Sequence, residues 1–319
     1  MNWFPRALTT DVAAPRIARA PRPLDSGLEP PAPRVGRPPA AAVVAVPVAD
    51  LRRLPDHRAE LVSQGLFGET YRVLERSADG KWLCVRGSED GYVGWVRTWS
   101  VARGNRAAVV AWRGRASWRV DVPWLEVGDG GGALPFGARV ARAGNALEGP
   151  LGRMGGRAGA GVKRASGRAP REGLGRAIVA TASRFLGVPY HWGGRTFGGV
   201  DCSGLVQLAA QTQGILLPRD AGEQCLASGG VARLAPLARA LARPGRGTNI
   251  RPGDLWFFGP NRREVTHVAL SSGGLDLIHA YGRVAKGSLD PLSDVFEPEL
   301  FRFVLGWRRL PRPRLAISP

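Results

Sequence analysis

The order of apolar patterns after residue 173 is the feature that most constrains the fold. Two segments, GRAIVATASRFLG (175–187) and CSGLVQLAAQTQG (202–214), place apolar residues at helical spacing and end at a glycine. The later segments LWFF, THVALSS, LDLIHAY and RFVLGWRRL are strand-like. Because helices come first and antiparallel strands follow, the pattern predicts an α+β domain over residues 173–312.

The N-terminal part of the chain has a different character. Residues 1–42 are rich in Pro, Arg and Ala and lack periodicity, which predicts a disordered basic tail. Over 43–103, short runs rich in Val, Tyr and Trp are separated by Gly and Asp, which is typical of a small antiparallel barrel. Strand alternation puts Trp82 and Cys84 on one face, so we expect Cys84 to be a core residue.

A weaker copy of this barrel is predicted over residues 104–150. The segment LFGETYRV (66–73) is echoed by LPFGARV (134–140), and Gly68 then matches Gly137. Such self-similarity indicates a duplicated unit, although strand signals in the second copy are thin. We therefore expect a degenerate second barrel.

The formal net charge of +19 at pH 7 is carried almost wholly by arginine. It suits an anionic partner such as nucleic acid, anionic lipid or an acidic polymer, and it equally fits an arginine-rich proteome. Without a recognisable module of interleaved aromatic residues, we expect no nucleic-acid partner. The first residues contain no signal-peptide core, and no apolar run approaches the roughly 20 residues of a membrane span. We therefore expect a cytoplasmic location, with export to the cell envelope as the alternative.

Cys202 stands where a reactive thiol would be expected. Asp201 precedes the apolar helical pattern and is a good N-cap, so Cys202 falls in the first turn of the helix. Unpaired N–H groups and the helix dipole favour an anion there, which predicts a lowered thiol pKa and a nucleophilic thiolate. The competing interpretation is a cysteine that merely begins a helix.

Two of the four histidines are candidates for the base that such a nucleophile needs. His267 and His279 lie in strand-like segments on either side of SSGG, and a hairpin centred on Gly273 would make them face each other. One imidazole would then act as general base while the other orients it. A zinc site formed by Cys202 and both histidines lacks standard ligand spacing, so we expect no metal and no cofactor.

The motifs VPYHWGG, DCSGLV, LPRDAGEQ, RPGDLWFF, THVAL and LIHAYG occur in this order over 173–312. In this respect the chain resembles the NlpC family of papain-like cell-wall cysteine peptidases. VPVADLRRLPDHRAELVSQGLFGE with GYVGWV is similar to the bacterial SH3-type domains that often precede this peptidase domain. The resemblance implies a papain-like catalytic domain preceded by one clear and one degenerate SH3-like β-barrel.

The resemblance also assigns roles around the nucleophile. It makes Cys202 the nucleophile, His267 the base and His279 the third, orienting residue. Tyr190 matches the family's active-site tyrosine before WGG.

The resemblance further implies a pocket for the free amino end of the substrate. Asp201 and Ser203 flank the nucleophile at this pocket, and Asp220 lies in the segment that lines it. From the first barrel, Glu69 and Tyr92 are the candidates that would close the pocket.

The remaining segments are less regular. Residues 151–172 are Gly- and Arg-rich and aperiodic, which predicts a flexible linker or a long loop, and 313–319 is predicted to be a tail. The segment 231–248 is longer and more basic than the corresponding segment usually is in the family, so we expect it to form a lid or a surface helix. Cys225 is interpreted as a packed bystander.

The implied function is a cysteine peptidase acting on peptidoglycan-derived peptides. The arrangement is similar to the γ-D-glutamyl-L-diamino-acid endopeptidase type, which removes L-Ala-γ-D-Glu from stem peptides in murein recycling or wall turnover. The diamino acid would be meso-diaminopimelate or lysine. The alternatives are a non-catalytic cell-wall or polyanion binder, and an amidase or acyltransferase on the same fold.

Overall fold

A computed structural model describes residues 40–128, 132–157, 161–165, 173–233, 235–237, 249–261 and 263–310. Apart from residues 40–42, the predicted tails at 1–42 and 313–319 fall outside these ranges, as does most of the insertion at 231–248. Within the described ranges, no helix is both long and apolar enough to cross a membrane.

The first unit is a seven-stranded antiparallel sheet with strand order β3-β2-β6-β5-β4-β1-β7. Its strands are β1 (Ala41–Val44), β2 (Val48–Arg52), β3 (Leu61–Leu66), β4 (Thr70–Arg76), β5 (Trp82–Gly87), β6 (Val93–Arg97) and β7 (Val101–Gly104). The unit begins slightly before the predicted boundary, because β1 pairs with both β4 and β7. Trp82 and Cys84 are both buried in one small cluster, as the strand alternation predicts.

The second unit starts with the helix α1 (Arg106–Arg115) and continues as a small β-structure. Its strands are β8 (Trp118–Val120), β9 (Trp124–Val127), β10 (Gly132–Pro135), β11 (Arg139–Ala143), β12 (Ala146–Gly149), β13 (Gly152–Arg157) and β14 (Val162–Arg164). A hairpin of β9 and β10 accompanies a five-stranded sheet of order β13-β12-β11-β8-β14.

The prediction of a linker over residues 151–172 is wrong for its first half, because β13 and β14 form the two edges of this sheet. Their Gly- and Arg-rich sequence has no apolar alternation to reveal a strand. Backbone pairing with β12 and β8 nevertheless satisfies their amide groups, so the second unit extends to Arg164 rather than ending at residue 150.

The two echoed segments occupy matching turns that pack against each other. Gly68 and Gly137 both have positive φ angles, of 79° and 85°, which side chains rarely tolerate. The N–H of Arg139 donates to the carbonyl of Phe67 at 2.8 Å. A Cβ atom on Gly68 would lie 2.3 Å from the carbonyl oxygen of Arg139, so a glycine is required where the copies meet.

The third unit contains helices followed by an antiparallel sheet, as predicted. Its helices are α2 (Leu174–Ser183), α3 (Cys202–Gln211), α4 (Ala221–Ala227) and α5 (Pro298–Arg302). Its strands are β15 (Arg195–Thr196), β16 (Gly199–Val200), β17 (Leu255–Phe258), β18 (His267–Gly273), β19 (Asp276–Tyr281), β20 (Arg283–Ser288) and β21 (Val304–Arg308). The main sheet has the order β20-β19-β18-β17-β21, and α3 packs against β18 and β19.

One apolar core joins the third unit to the other two. Leu66 from the first unit and Phe136 from the second are both fully buried within the cluster around α3. The ring of Phe136 makes edge contacts with Phe185 and Phe197. Cys225, predicted to be a packed bystander, is buried in the same cluster.

A buried ion pair reinforces this junction. Both guanidinium Nη atoms of Arg195 donate to the carboxylate of Glu69 at 2.9 Å, and Arg195 also donates to the backbone carbonyl of Gln64 at 2.6 Å. The two charged side chains are 4% and 10% exposed, so each depends on the other for compensation. Removing one partner of such a pair costs about 3–5 kcal/mol.

We predict that Glu69→Gln will lower the free energy of unfolding by about 3 kcal/mol, because it leaves the Arg195 guanidinium buried without its counter-charge. Urea denaturation measures the change. Glu75→Gln removes an exposed carboxylate from the same sheet and serves as the control. Equal stability of the two variants would contradict a structural role for the ion pair.

Candidate active site

Cys202 is the first residue of α3, and its position follows from the preceding loop. The Asp201 carboxylate caps the helix by accepting from the backbone N–H of Gly204 at 2.7 Å, as the sequence predicts. It also accepts from the N–H of Gly193 at 2.9 Å, which ties the glycine-rich loop to the helix start. A Cβ atom on Gly204 would lie 2.5 Å from the Gly194 carbonyl oxygen, so this packing requires glycine.

His267 and His279 share one face of the β18–β19 hairpin. Their rings are 5.5 Å apart and perpendicular, and His279 Nδ1 lies 3.3 Å from His267 Nε2. The predicted direct opposition is wrong, because the register pairs Leu270 with Ile278. Continued along both strands, that register puts His267 opposite Tyr281.

The difference in register has a local cause. A bulge between Ser271 and Gly273 moves the turn to Gly274 and Leu275 rather than centring it on Gly273. The shift equals two residues on one strand, so both imidazoles stay on one face as diagonal neighbours.

The thiol of Cys202 lies against the start of β18. The backbone N–H groups of Val268 and Ser203 lie close to its sulfur and favour the ionised form. Val268 directly follows His267, so the sulfur lies beside the strand that carries the imidazole. Because His267 Nε2 faces His279, its Nδ1 is the nitrogen available to the thiol.

The protonation states differ from the expected thiolate. Burial raises the pKa of the Cys202 thiol to about 12, and the Asp201 charge adds to this effect. Burial, aided by His279, lowers the pKa of His267 to about 3. The predicted lowering of the thiol pKa is therefore wrong, because desolvation outweighs the hydrogen bonds at the helix start. At neutral pH the thiol of Cys202 and the imidazole of His267 are therefore both uncharged.

Tyr190 lies near the thiol, on the glycine-rich loop that precedes α3. Burial raises the pKa of its phenol, and the nearby Cys202 and Asp201 act in the same direction. The phenol therefore stays protonated and can donate a hydrogen bond to an oxygen near the sulfur. The backbone N–H of Tyr190 donates to the Gly282 carbonyl at 2.8 Å, which holds the loop against the end of the hairpin.

Arg219 is a site residue that the sequence reasoning missed. It is 1% exposed, and its guanidinium donates twice to the Asp201 carboxylate, at 3.0 and 2.6 Å. It also donates to the hydroxyls of Ser203 at 3.0 Å and of Ser63, from the first unit, at 2.9 Å. The hint in the sequence was the pair of charged residues, Arg219 and Asp220, between the apolar residues of the LPRDA segment.

This ion pair changes the expected role of Asp201. Both of its carboxylate oxygens already accept from Arg219 and from backbone N–H groups. Asp201 therefore caps the helix and compensates Arg219, and it has no unused oxygen for a substrate ammonium. Ser203 donates to Asp201 at 3.2 Å and belongs to the same network.

Tyr92 from the first unit and Asp220 from the third lie close together. The Tyr92 hydroxyl is near the Asp220 carboxylate, whose pKa is raised by burial. Burial also raises the pKa of the neighbouring Glu223 to about 7, with further contributions from Asp220 and Asp90. The result is a cluster of carboxylates at the junction of the first and third units.

Glu60, at the rim of this cluster, is a second missed residue. Its carboxylate accepts from Arg53 at 2.5 Å and from the indole N–H of Trp192 at 2.9 Å. The hydrogen bond to Glu60 raises the pKa of Arg53, and the nearby Asp220 carboxylate adds to this effect. Because Trp192 is 58% exposed, this contact joins the first unit to the glycine-rich loop at the surface.

Glu69 is not part of the acidic cluster. Its carboxylate is occupied by Arg195 and by the N–H of Leu66 at 3.0 Å, and Arg195 keeps the pKa of Glu69 low despite burial. The sequence-based assignment of Glu69 to the amine pocket is therefore corrected to a structural one. Across the described ranges, no group of His, Cys, Asp and Glu residues has the geometry to hold a metal ion.

Two family models match the chain. The NlpC/P60 family model covers residues 187–302, and the bacterial dipeptidyl-peptidase SH3 domain model covers residues 51–100. Together they account for just over half of the chain.

Individual relatives agree with these models. The γ-D-glutamyl-L-lysine dipeptidyl-peptidase of Bacillus subtilis is 27% identical over 68% of this chain and 71% of its own. The peptidoglycan endopeptidase RipB of Mycobacterium tuberculosis is 32% identical over 36% of this chain and 46% of its own.

A solved structure extends the agreement in fold. An NlpC/P60 family protein from Bacillus cereus superposes with a TM-score of 0.66 and 20% identity, covering 85% of this chain and 100% of that one. Residues 187–302 therefore belong to an NlpC/P60 domain with a papain-like fold, and an SH3-like β-rich domain precedes it.

Proposed function

We propose that the protein hydrolyses the γ-D-glutamyl–diamino acid bond of peptidoglycan stem peptides that carry a free N-terminal L-Ala. The observation that carries the proposal is the acidic cluster around Tyr92 and Asp220, at the junction that also buries the start of α3. A substrate ammonium entering a partly buried site needs carboxylates and hydroxyls to replace its water. The names of the Bacillus subtilis and Mycobacterium tuberculosis relatives support the same substrate class.

The attachment of the first unit explains why cleavage would release a dipeptide. Arg219 binds Ser63, and Trp192 binds Glu60, so the SH3-like unit is held against the same loop and helix start that carry Cys202. The SH3-like unit therefore limits how many substrate residues can precede the scissile bond. The carboxylates of the acidic cluster, at that end of the site, then select a substrate with a free amino terminus.

The chemistry follows from the neutral thiol–imidazole pair. As the Cys202 sulfur attacks the carbonyl carbon, His267 takes the thiol proton, and His279 orients its ring. The Cys202 N–H and the Tyr190 hydroxyl are the proposed donors to the oxyanion. His267 then protonates the leaving amine and a thioester remains. Water, deprotonated by His267, attacks the thioester, and the dipeptide acid leaves as the thiol regains its proton.

Stem peptides with a free L-Ala arise once the peptide has been cut from the glycan, so we further propose a role in murein peptide recycling. A cytoplasmic location accords with that role and remains a prediction. Cell fractionation with an antibody to the protein tests it, and recovery from the envelope fraction would favour wall turnover instead.

Acetylation of the substrate is predicted to abolish cleavage. L-Ala-γ-D-Glu-diamino-acid tripeptide should release its dipeptide, whereas the N-acetylated tripeptide should not, because the acidic cluster then has no ammonium to bind. Mass spectrometry follows the release. Asp220→Asn should raise KM for the free-amine peptide at least tenfold, and Asp276→Asn, at an exposed strand start, is the control. Cleavage of both peptides would contradict amine recognition.

Cys202→Ala is predicted to eliminate turnover, because no other side chain supplies the attacking sulfur. The loss should exceed about 10⁴-fold with the melting temperature little changed. Cys225→Ala, which removes another buried thiol from the same core, should keep activity near that of the original protein.

Retained binding to sacculi without turnover in the unaltered protein would favour the non-catalytic binder, and release of a transferred product would favour an acyltransferase.

The pH profile is predicted to extend into the acid range. His267 acts as a base only when unprotonated, and burial lowers its pKa from 6.5 to about 3. The acid limb of kcat, measured at saturating peptide so that protonation of the acidic cluster does not limit binding, should therefore lie well below pH 6.5, with activity lost as the pH falls through the lowered value. Initial rates between pH 3 and pH 9 measure it. A midpoint at or above pH 6.5 would show that His267 is not desolvated in the working enzyme.

A further inference from the structure

His279 has a ring nitrogen that its role toward His267 does not use. Its Nδ1 faces His267, while its Nε2 is buried and lacks a hydrogen-bond partner among the described residues. The whole side chain is 3% exposed, so water has little access to that nitrogen. An imidazole that orients a general base gains from a group holding its far side in one tautomer and one orientation.

Glu297 approaches this nitrogen from outside the hairpin. One oxygen of its carboxylate, Oε1, lies 3.6 Å from His279 Nε2, slightly beyond a hydrogen bond. Glu297 directly precedes α5, yet its side chain makes no capping hydrogen bond to that helix. The carboxylate is therefore directed toward the imidazole rather than engaged at the helix end.

The sheet holds Glu297 in this place and leaves room for it. The N–H of Glu297 donates to the Ser288 carbonyl at 2.9 Å, which fixes the backbone beside β20. On the face of His279, β20 presents the small residues Ala285 and Gly287. A Cβ atom on Gly287 would lie 2.7 Å from Glu297 Cγ, so the path of the side chain depends on that glycine.

We propose that Glu297 is a positioning residue of the active site, whose carboxylate orients His279 and extends the line of groups from Cys202 through His267 to a fourth member. This inference rests on the cysteine-peptidase function proposed above. It predicts that the negative charge stabilises the positive charge that develops on the imidazole pair when His267 takes the thiol proton.

The expected effect of the Glu297 charge on the rate depends on how exposed its side chain is to water. The Glu297 side chain is 35% exposed, so water screens much of its charge. At 3.6 Å in a largely aqueous environment, such a charge is worth about a five- to tenfold change in rate. Among the described residues, Tyr281 on β19 contacts the ring of His267, and Tyr190 and Cys202 lie near this end of the hairpin; none of the three supplies a carboxylate.

The test compares Glu297→Gln with Glu299→Gln, which removes an exposed carboxylate two residues further along. For Glu297→Gln, kcat on the free-amine tripeptide should fall about five- to tenfold with KM unchanged within about twofold. The acid limb of kcat/KM should move to lower pH, because the imidazole pair is then easier to deprotonate. Glu299→Gln should leave kcat, KM and the acid limb as they are.

Two further measurements test the role of Glu297 without depending on a change in folding or on the identity of the substrate. Gly287→Ala should displace the carboxylate without changing any charge and lower kcat in the same way, with circular dichroism and melting confirming the fold. The rate of Cys202 alkylation by iodoacetamide at pH 7, followed by peptide mapping, needs no substrate. It should fall in Glu297→Gln and not in Glu299→Gln.

The outcomes separate the two proposals. If the unaltered protein fails to cleave the tripeptide while alkylation still slows in Glu297→Gln, the proposed substrate is wrong and the positioning role stands. If Glu297→Gln matches Glu299→Gln in pH profile and in alkylation, the positioning role is overturned, whether or not the peptide is cleaved.

Discussion

The ion pair between Arg219 and Asp201 is the interaction on which the rest of the active site depends. Asp201 caps α3 and so fixes the direction of the helix that begins with Cys202. A carboxylate buried without compensation would be costly and would also oppose ionisation of the neighbouring thiol. Arg219 compensates the Asp201 charge and partly offsets its effect on the thiol, and by reaching Ser63 it links the helix that begins with Cys202 to the SH3-like unit. Catalytic geometry and domain attachment therefore share one buried guanidinium.

Burial has a second consequence for the chemistry. The apolar core that holds α3 against β18 and β19 also keeps Cys202 and His267 uncharged at neutral pH. A neutral pair separates charge only during attack, so groups that stabilise the imidazolium gain importance. His279 lies 3.3 Å from His267, and Glu297 lies 3.6 Å from the far side of His279, where we propose that it supplies such stabilisation.

Local sequence signals predicted the elements that carry the chemistry. An acidic cap before an apolar helical pattern places Cys202 at a helix start in almost any fold, and alternation along a hairpin keeps His267 and His279 on one face. The turn glycines Gly68 and Gly137 likewise marked two matching turns, because a backbone with positive φ favours glycine. By contrast, β13 and β14 carry no apolar alternation, so only their pairing partners reveal them as strands.

Long-range partners were beyond the reach of the sequence. The sequence determined the α+β order of elements, the helix cap, the position of Cys202 at the helix start and the shared face of the histidines, because each depends on residues close together in the chain. The tertiary structure decided that Asp201 compensates Arg219, that Glu69 binds Arg195 and that Glu60 lies beside Trp192. It also decided the protonation of Cys202, since the pKa of a thiol depends on how completely distant segments exclude water from it.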